Sequence, residues 1–260
     1  MRELLLVGVG AGNPDHLTLE GAKALREADL VLIPRKGPEK AELADLRREI
    51  LERALAGEPA EVAEFDLPVR RKDGDYLDGV EEWHDAIATA WRAAMATRPG
   101  AARVALLIWG DPSLYDSSLR IAGRLAPPAV RVVPGITALQ ALTAAHRITL
   151  AGLGEPAVIT TGRRLREEGW PPGADTAAVM LDGACAFRTL PPEGFDIWWG
   201  ACLGMEDEIL IAGPLAEAGP RIVEERAAAR ARRGWIMDIY ILRKRREPTV
   251  SWLRNTNEAD

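Results

Sequence analysis

The stretch Leu5-Leu6-Val7-Gly8-Val9-Gly10-Ala11-Gly12-Asn13-Pro14-Asp15-His16-Leu17-Thr18 decides the fold. Its apolar start reads as a buried strand over 3–9, and the three alternating glycines behind it let main chain approach a neighbour or a ligand closely. A dinucleotide-binding turn is the obvious comparison. That turn needs Gly-x-Gly-x-x-Gly, a helix beginning at the turn to face a pyrophosphate, and an acidic residue about 20 positions on for a ribose. Here the third glycine comes one residue early, at Gly12, and Asn13-Pro14-Asp15 postpones the helix to about Thr18. The second strand, Leu30-Val31-Leu32-Ile33, is expected to stop at Pro34 and leads into Arg35-Lys36 instead of an acid, so an NADP reading would have to use Arg35.

Outward from this stretch, strand-like and helical runs alternate, the pattern of an α/β architecture with a mainly parallel sheet. Strands are expected at Glu61–Leu67, Arg103–Trp109 and Val130–Val133, and helices over Thr18–Ala28, Glu39–Ala56, Tyr76 to Pro99-Gly100 and the alanine-rich segment after Thr137. Trp83 and Trp91 read as core anchors. Around Gly152, Gly154 and Pro156 the texture changes. Strand-like runs then follow at Ala157–Thr161, Thr176–Leu181, Phe195–Leu203, Ile209–Ala212 and Trp235–Leu242, with one helix over Pro214–Arg233. The expected organisation is two α/β domains: residues 1–149 with helices on both faces of a mainly parallel sheet, and residues 150–260 with a smaller mixed sheet.

With 260 residues the chain can bury more than one core, and a net charge of -6 argues against a nucleic-acid partner, which a basic face would normally attract. Neither a signal peptide nor an apolar span of about 20 residues is found, so the protein is expected in the cytosol, without a membrane. Cys185 and Cys202 lie in apolar surroundings and read as reduced, buried thiols. His16, His84 and His146 are far apart and lack ligand spacing, so no metal site is expected.

Three further loops follow strands in the same manner: Trp109-Gly110-Asp111-Pro112-Ser113-Leu114-Tyr115-Asp116, Pro134-Gly135-Ile136-Thr137-Ala138, and Met180-Leu181-Asp182-Gly183. Gly-Asp-Pro alone is an ordinary turn. The joint order of VGxGxGxPDxLT, ALREADLVL, GDPxxY, VxPGIT, the strand with Met180, and LGMEDEIL resembles the tetrapyrrole methylase family of S-adenosylmethionine-dependent methyltransferases, across nearly the whole chain. Within it, WGDPSLYDSSLRI, VRRKDGDYLDGVEEWHDAI and KAELADLRREI resemble the branch that acts in aerobic cobalamin synthesis. That resemblance implies methyl transfer to C1 of precorrin-5 with release of acetate, a cofactor cleft between the domains, and a homodimer.

Carried over motif by motif, the resemblance implies cofactor contacts at Ala11, Trp109, Gly110, Asp111, Leu114, Thr137, Ala138, Met180 and Leu203. Three departures are visible: Ala11 where relatives often have Pro, Trp109 where they have Gly, and Asp116 where many have Gly. Methyl transfer from a sulfonium needs alignment and dryness more than acid–base groups, whereas deacetylation calls for water and a proton acceptor. Asp15, Asp111, Asp116, Asp182 and Glu206 could accept that proton, and a turn-capping or solvated carboxylate is the competing reading for each. No one of them stands out as catalytic.

A precorrin's carboxylates need local cations, for which Arg70-Arg71-Lys72 and Arg35 are the candidates, with Arg163-Arg164 a further pair. Arg243 to Arg246 reads as surface. Within the family the alternative is methylation of a different corrin carbon or of a non-tetrapyrrole, and two other classes compete: an NADP-linked reductase, and a carrier that holds a tetrapyrrole without turnover.

Overall fold

The computed structural model describes residues 1–35, 37, 41–70, 76–127 and 129–245. Strands β1 (Glu3–Gly8), β2 (Leu30–Arg35), β3 (Val62–Asp66), β4 (Arg103–Ile108) and β5 (Val130–Val133) form one sheet in the order β3-β2-β4-β1-β5, with every neighbouring pair parallel. Parallel strands need crossovers, and the crossover helices cover both faces. Alternate side chains serve the two sides. Leu4, Leu6, Leu32 and Leu106 pack against α3 (Tyr76–Met95) and α4 (Ser118–Leu125). Leu5, Val7, Ile33 and Leu107 pack against α1 (Leu19–Arg26) and α2 (Ala41–Leu55). Trp91 is buried in the first of these layers, and Trp83 is half-buried with its indole N–H on the Pro68 carbonyl (2.7 Å).

Strand β2 runs through Pro34 instead of stopping there. Pairing with β4 ends at Leu32, so the N–H that proline lacks would face a side of the strand that has no ladder. The start of α1 agrees with its sequence. Asn13 accepts the Asp15 N–H (2.8 Å) in a short 3-10 turn over Pro14–His16, and only then does Thr18 cap the helix by accepting the Gly21 N–H (2.9 Å). Helix α4 was not expected, because it has only eight residues and four of them are Arg, Gly or Ser.

The second sheet has the order β6-β7-β10-β8-β9, from β6 (Ala157–Thr161), β7 (Thr176–Met180), β8 (Phe195–Ala201), β9 (Ile209–Pro214) and β10 (Asp238–Lys244). Only β6 and β7 run parallel, so this sheet is mixed. Strand β10 starts three residues later than Trp235. One face packs on α7 (Leu215–Arg233) and on Leu165 of α6 (Gly162–Glu168), a second short helix that the sequence did not announce. The other face packs on α5 (Ala138–His146), whose Leu139 and Leu142 meet Ala178, Leu203, Ile239 and Ile241. A helix that follows the last strand of the first sheet thus covers the second sheet.

Cys185 and Cys202 are buried free thiols, and burial raises both above the usual thiol range. Among the described residues no helix is long and apolar enough to cross a membrane.

Candidate functional site

Strands β4, β1 and β5 are neighbours, so the loops that leave them meet. The Gly110 N–H donates to the Gly10 carbonyl (2.8 Å), closing an isolated bridge between the first loop and the loop after β4. Beneath it Gly8, Gly110 and Gly135 pack main chain against main chain. A Cβ on Gly8 would lie 2.6 Å from the Gly135 nitrogen, and one on Gly135 would overlap the Gly110 carbonyl oxygen. Gly110 also has φ +63°, the left-handed region. Gly12 serves a longer reach: a Cβ there would lie 2.7 Å from Met205 Cγ and 2.5 Å from the Leu203 carbonyl, in the loop after β8. The alternating glycines of the opening stretch therefore let loops from both sheets touch.

These loops border a cleft of about 500 Å³ lined by Asp111, Ser113, Leu114, Gly135, Thr137, Leu139, Leu150 and Ile159, among others. Asp111 holds its floor. One carboxylate oxygen accepts the Gly135 N–H (2.9 Å), and the other accepts the Ser113 N–H (2.8 Å) and hydroxyl. Burial opposes its charge, but these hydrogen bonds prevail and hold the carboxyl below the usual range. Thr137 and Gln140 form a capping box that starts α5 at the cleft wall. Across the mouth, the Tyr115 hydroxyl donates to the Ile159 carbonyl of β6 (3.3 Å). Tyr115, Leu181 and Cys202, in the loops after β4, β7 and β8, all have positive φ. For residues other than glycine this is a strained conformation that commonly clusters at ligand sites.

Of the residues marked for the cofactor, Ala11, Leu114, Ala138 and Met180 gather as partly buried groups around Leu203 in one apolar cluster. Gly110, Asp111 and Thr137 lie beside that cluster. Trp109 does not join them by its side chain, which turns toward the α1 and α2 side. Arg35 stands at the end of β2 and donates twice to Asp66 (2.9 and 3.0 Å). Arg70 closes a described run, and Arg71 and Lys72 lie outside the described residues. Arg164 binds Glu168 within α6.

The carboxylates separate by environment. Asp182 is buried, accepting the Ala184 and Ala186 N–H groups (2.9 and 2.6 Å) and the Tyr240 hydroxyl (2.7 Å), which makes it a structural cap. Asp116 accepts the Ser118 N–H at the start of α4 (2.6 Å), Asp15 pairs with Arg53 (3.2 Å), and Glu206 lies by a second cleft beside Gly12 and Met205.

Arg233 and Arg243 make long-range contacts that the sequence reading does not foresee. Arg233 joins Glu42 of α2 (2.5 Å) to Asp207 in the loop after β8, and its guanidinium meets the Cys202 sulfur (3.2 Å). Arg243, read as surface, reaches the Thr149 carbonyl (2.8 Å) over the Trp198 ring. Partners so distant in sequence leave no local signal.

The sequence pattern of the Tetrapyrrole (Corrin/Porphyrin) Methylases matches residues 3–219, and the chain belongs to this family. Among curated relatives, it is 48% identical over 251 residues to the precorrin-6A synthase [deacetylating] of a Sinorhizobium species, covering 94% of this chain and 96% of that protein. A precorrin-2 C(20)-methyltransferase from Sinorhizobium is 30% identical over 68% of this chain and 71% of its own length. Among solved structures, a cobalamin synthesis related protein (CobF) from Corynebacterium diphtheriae superposes with TM-score 0.78 at 37% identity, covering 94% of this chain and 99% of that one. The uroporphyrin-III C-methyl transferase of Thermus thermophilus, solved with S-adenosyl homocysteine, shares the fold at TM-score 0.56 and 23% identity, covering 92% of this chain and 96% of that one.

Proposed function

We propose that this chain methylates C1 of precorrin-5 from S-adenosylmethionine and releases the C1 acetyl group as acetate, the deacetylating precorrin-6A synthase reaction. The observation that carries this reading is the 48% identity to a relative of that name over nearly the full length of both chains. The delayed start of α1 at Leu19 speaks against a pyrophosphate seat and hence against the NADP reading. Residues 1–149 and 150–260 are taken as the two domains, in line with β1–β5 falling in the first sheet and β6–β10 in the second. The enzyme is taken to act in the cytoplasm as a homodimer on a tetrapyrrole, with no nucleic-acid partner.

The cleft fits an adenosyl sulfonium on its own chemistry. Its volume of about 500 Å³ lies inside the roughly 300–1,000 Å³ usual for small-molecule sites, its walls combine apolar residues (Leu114, Leu139, Leu150, Ile159) with polar ones (Ser113, Thr137, Gln140, Thr143), and an ionised Asp111 lies in its floor to face a cation. When bound, S-adenosylmethionine supplies a methyl group already activated by its sulfonium charge. The residues proposed to hold it are Ala11, Gly110, Asp111, Leu114, Thr137, Ala138, Met180 and Leu203, together with Trp109 through its main chain. Their work is to align and to exclude water. Leu114 lines the cleft, Ala138, Met180 and Leu203 belong to the apolar cluster that includes it, and Thr137 fixes the start of α5 on the cleft wall. Asp111 has both oxygens engaged and a lowered pKa, so it shapes the loop and does not accept the proton of deacetylation. The substrate cations proposed are Arg70, Arg71, Lys72 and Arg35, the last of which must leave Asp66 to bind a substrate carboxylate.

The test is incubation with precorrin-5 and methyl-labelled S-adenosylmethionine, read by NMR for label on C1 and for one equivalent of acetate. Label on another carbon, with no acetate, would move the assignment to another precorrin methylase. Binding titrations should show S-adenosyl homocysteine and no NADPH, and the reverse would reject the class.

A further inference from the structure

The loop after β4 carries a strained residue that neither the cofactor contacts nor the start of α4 accounts for. Tyr115 has φ +50°, the left-handed region, which a bulky side chain adopts under constraint from its surroundings. That constraint is visible on both sides of it. The Leu114 N–H donates to the Asp111 carbonyl (3.2 Å) and the Ser113 N–H to the Asp111 carboxylate (2.8 Å), while Asp116 accepts the Ser118 N–H at the start of α4 (2.6 Å). Glycine would take this backbone without strain, so what the strain preserves is the side chain.

The side chain stands where a second reactant can touch it. Leu114, one residue earlier, lines the cleft, and the Tyr115 hydroxyl reaches across the mouth to the carbonyl of Ile159 (3.3 Å), which lines the cleft from β6, an edge strand of the second sheet. The ring is therefore held at both ends, by its strained main chain and by its hydroxyl. Even so, Tyr115 is 44% exposed and Ile159 beside it 40%. A tyrosine fixed in this way loses little rotamer freedom when a partner lies on it.

A cleft of about 500 Å³ has room for the cofactor. The other reactant is a broad macrocycle of four pyrrole-type rings with carboxylate arms, too wide to enter beside it, so the carbon to be methylated must meet the sulfonium methyl at the mouth, where Tyr115 stands. We propose that Tyr115 is a substrate-positioning residue whose exposed ring is the platform on which the tetrapyrrole lies at the cleft mouth, with offset stacking between the rings. The identity of the substrate rests on the proposed function. The contact is made by the aromatic face, and the hydroxyl only steadies it, which separates a platform from a latch between the two sheets.

The test compares full-length wild type, Tyr115→Phe, Tyr115→Ala and Tyr115→Gly by KM and kcat for precorrin-5, by affinity for uroporphyrin III from its fluorescence anisotropy, and by affinity for S-adenosyl homocysteine from isothermal titration. Tyr115→Ala is expected to raise KM and to weaken uroporphyrin III binding about tenfold each, while S-adenosyl homocysteine binding stays within about twofold of wild type. Tyr115→Phe keeps the ring and should match wild type in all three. Tyr115→Gly relieves the φ strain, so its urea midpoint should stay near that of wild type while it binds uroporphyrin III as weakly as Tyr115→Ala. Tyr115→Phe as weak as Tyr115→Ala makes the residue a latch and overturns the platform, as does an equal loss of S-adenosyl homocysteine binding or a Tyr115→Gly that binds like wild type. If Tyr115→Ala does not fold, Tyr115→Gly and Tyr115→Phe decide. Where wild type turns over, KM is the deciding readout: methylation of precorrin-5 with a KM indifferent to loss of the ring refutes the platform and leaves the function standing. Wild type that binds uroporphyrin III through Tyr115 but fails to methylate precorrin-5 refutes the function and leaves the platform, and wild type that does neither refutes both.

Discussion

The carboxyl edge of the first sheet and the interior of the second are held together by different means. At the edge, Gly8, Gly110 and Gly135 touch through main chain, and the Asp111 carboxylate is drawn into their contact by the Gly135 N–H. In the second sheet, polar side chains are buried in a connected set. Arg226 pairs with Asp238 (2.8 Å), both side chains 8% exposed, and donates to the Asp182 carbonyl (2.8 Å); the Trp199 indole N–H also reaches Asp238 (3.0 Å). Burial and the neighbouring Asp182 push the Tyr240 hydroxyl well above its ordinary range. A surface shaped by bare backbone has no room for an added atom, whereas a buried polar set cannot lose a member. The first design suits a ligand site, because it leaves main-chain groups and apolar walls open. The second suits a support.

The largest effect is expected where a member of the buried set is removed. Arg226→Met leaves Asp238 charged and unpaired, which costs about 3–5 kcal/mol. Urea unfolding should show that loss, and Arg226→Met with Asp238→Leu should recover a good part of it. A single variant as stable as wild type would erase the contrast between the two regions.

Next comes the bare edge. Gly135→Ala puts a methyl into the Gly110 carbonyl and Gly8, and overpacking of this kind costs about 1–3 kcal/mol. Affinity for S-adenosyl homocysteine should fall more than tenfold in isothermal titration. Gly100→Ala, with nothing within 4 Å of the new methyl, is the control and should bind as wild type. Equal binding by both variants would mean that the glycine contacts do not shape the cleft.

The edge was largely legible in sequence because its devices are local. Gly8 to Gly12, Gly110-Asp111-Pro112 and Pro134-Gly135 each announce a strand that ends in a loop, and parallel strands send such loops to one side. The apolar positions marked for the cofactor also proved to be neighbours, gathered around Leu203. What stayed hidden was set by distance along the chain. Nothing near Arg226 points to Asp238, and nothing near Arg233 points to Glu42, 191 residues away. Arg47 of α2, buried with its guanidinium on the Leu107 and Leu43 carbonyls, had a local clue in the Leu43 and Ile50 spacing, but a charged residue in a charged helix reads as solvated. Helix α4 and strand β2 beyond Pro34 were missed for a similar reason: packing between elements overrode weak local propensity.

Arg233 tests whether the two regions are joined by more than the apolar cluster. It ties α2 to the loop that presents Leu203, from a partly exposed position, so its ion pairs should contribute only about 0–1 kcal/mol to global stability. Its effect should instead fall on the loop. Arg233→Gln is expected to weaken S-adenosyl homocysteine binding about threefold to tenfold while changing the urea midpoint little, the reverse of Arg226→Met.

The smallest effect separates the regions by pH. His84 lies buried on α3, away from the cleft, with neither ring nitrogen partnered, and burial followed by the Arg124 charge lowers its pKa from 6.5. The unfolded chain therefore takes up this proton first. Its contribution to stability is fully present above pH 6.5 and is lost as pH falls from there through the lowered folded value. Asp111 is likewise lowered, but from 3.8, so its contribution is lost only below about pH 4. Stability curves of wild type and His84→Leu should run parallel above pH 7.5 and separate at pH 5–6.5, where the wild type declines more steeply. Cofactor-product affinity in that window should be the same for both. If His84→Leu altered binding along with stability, the outer face of the first sheet would be coupled to its edge, and the division between support and site would have to be redrawn through α3.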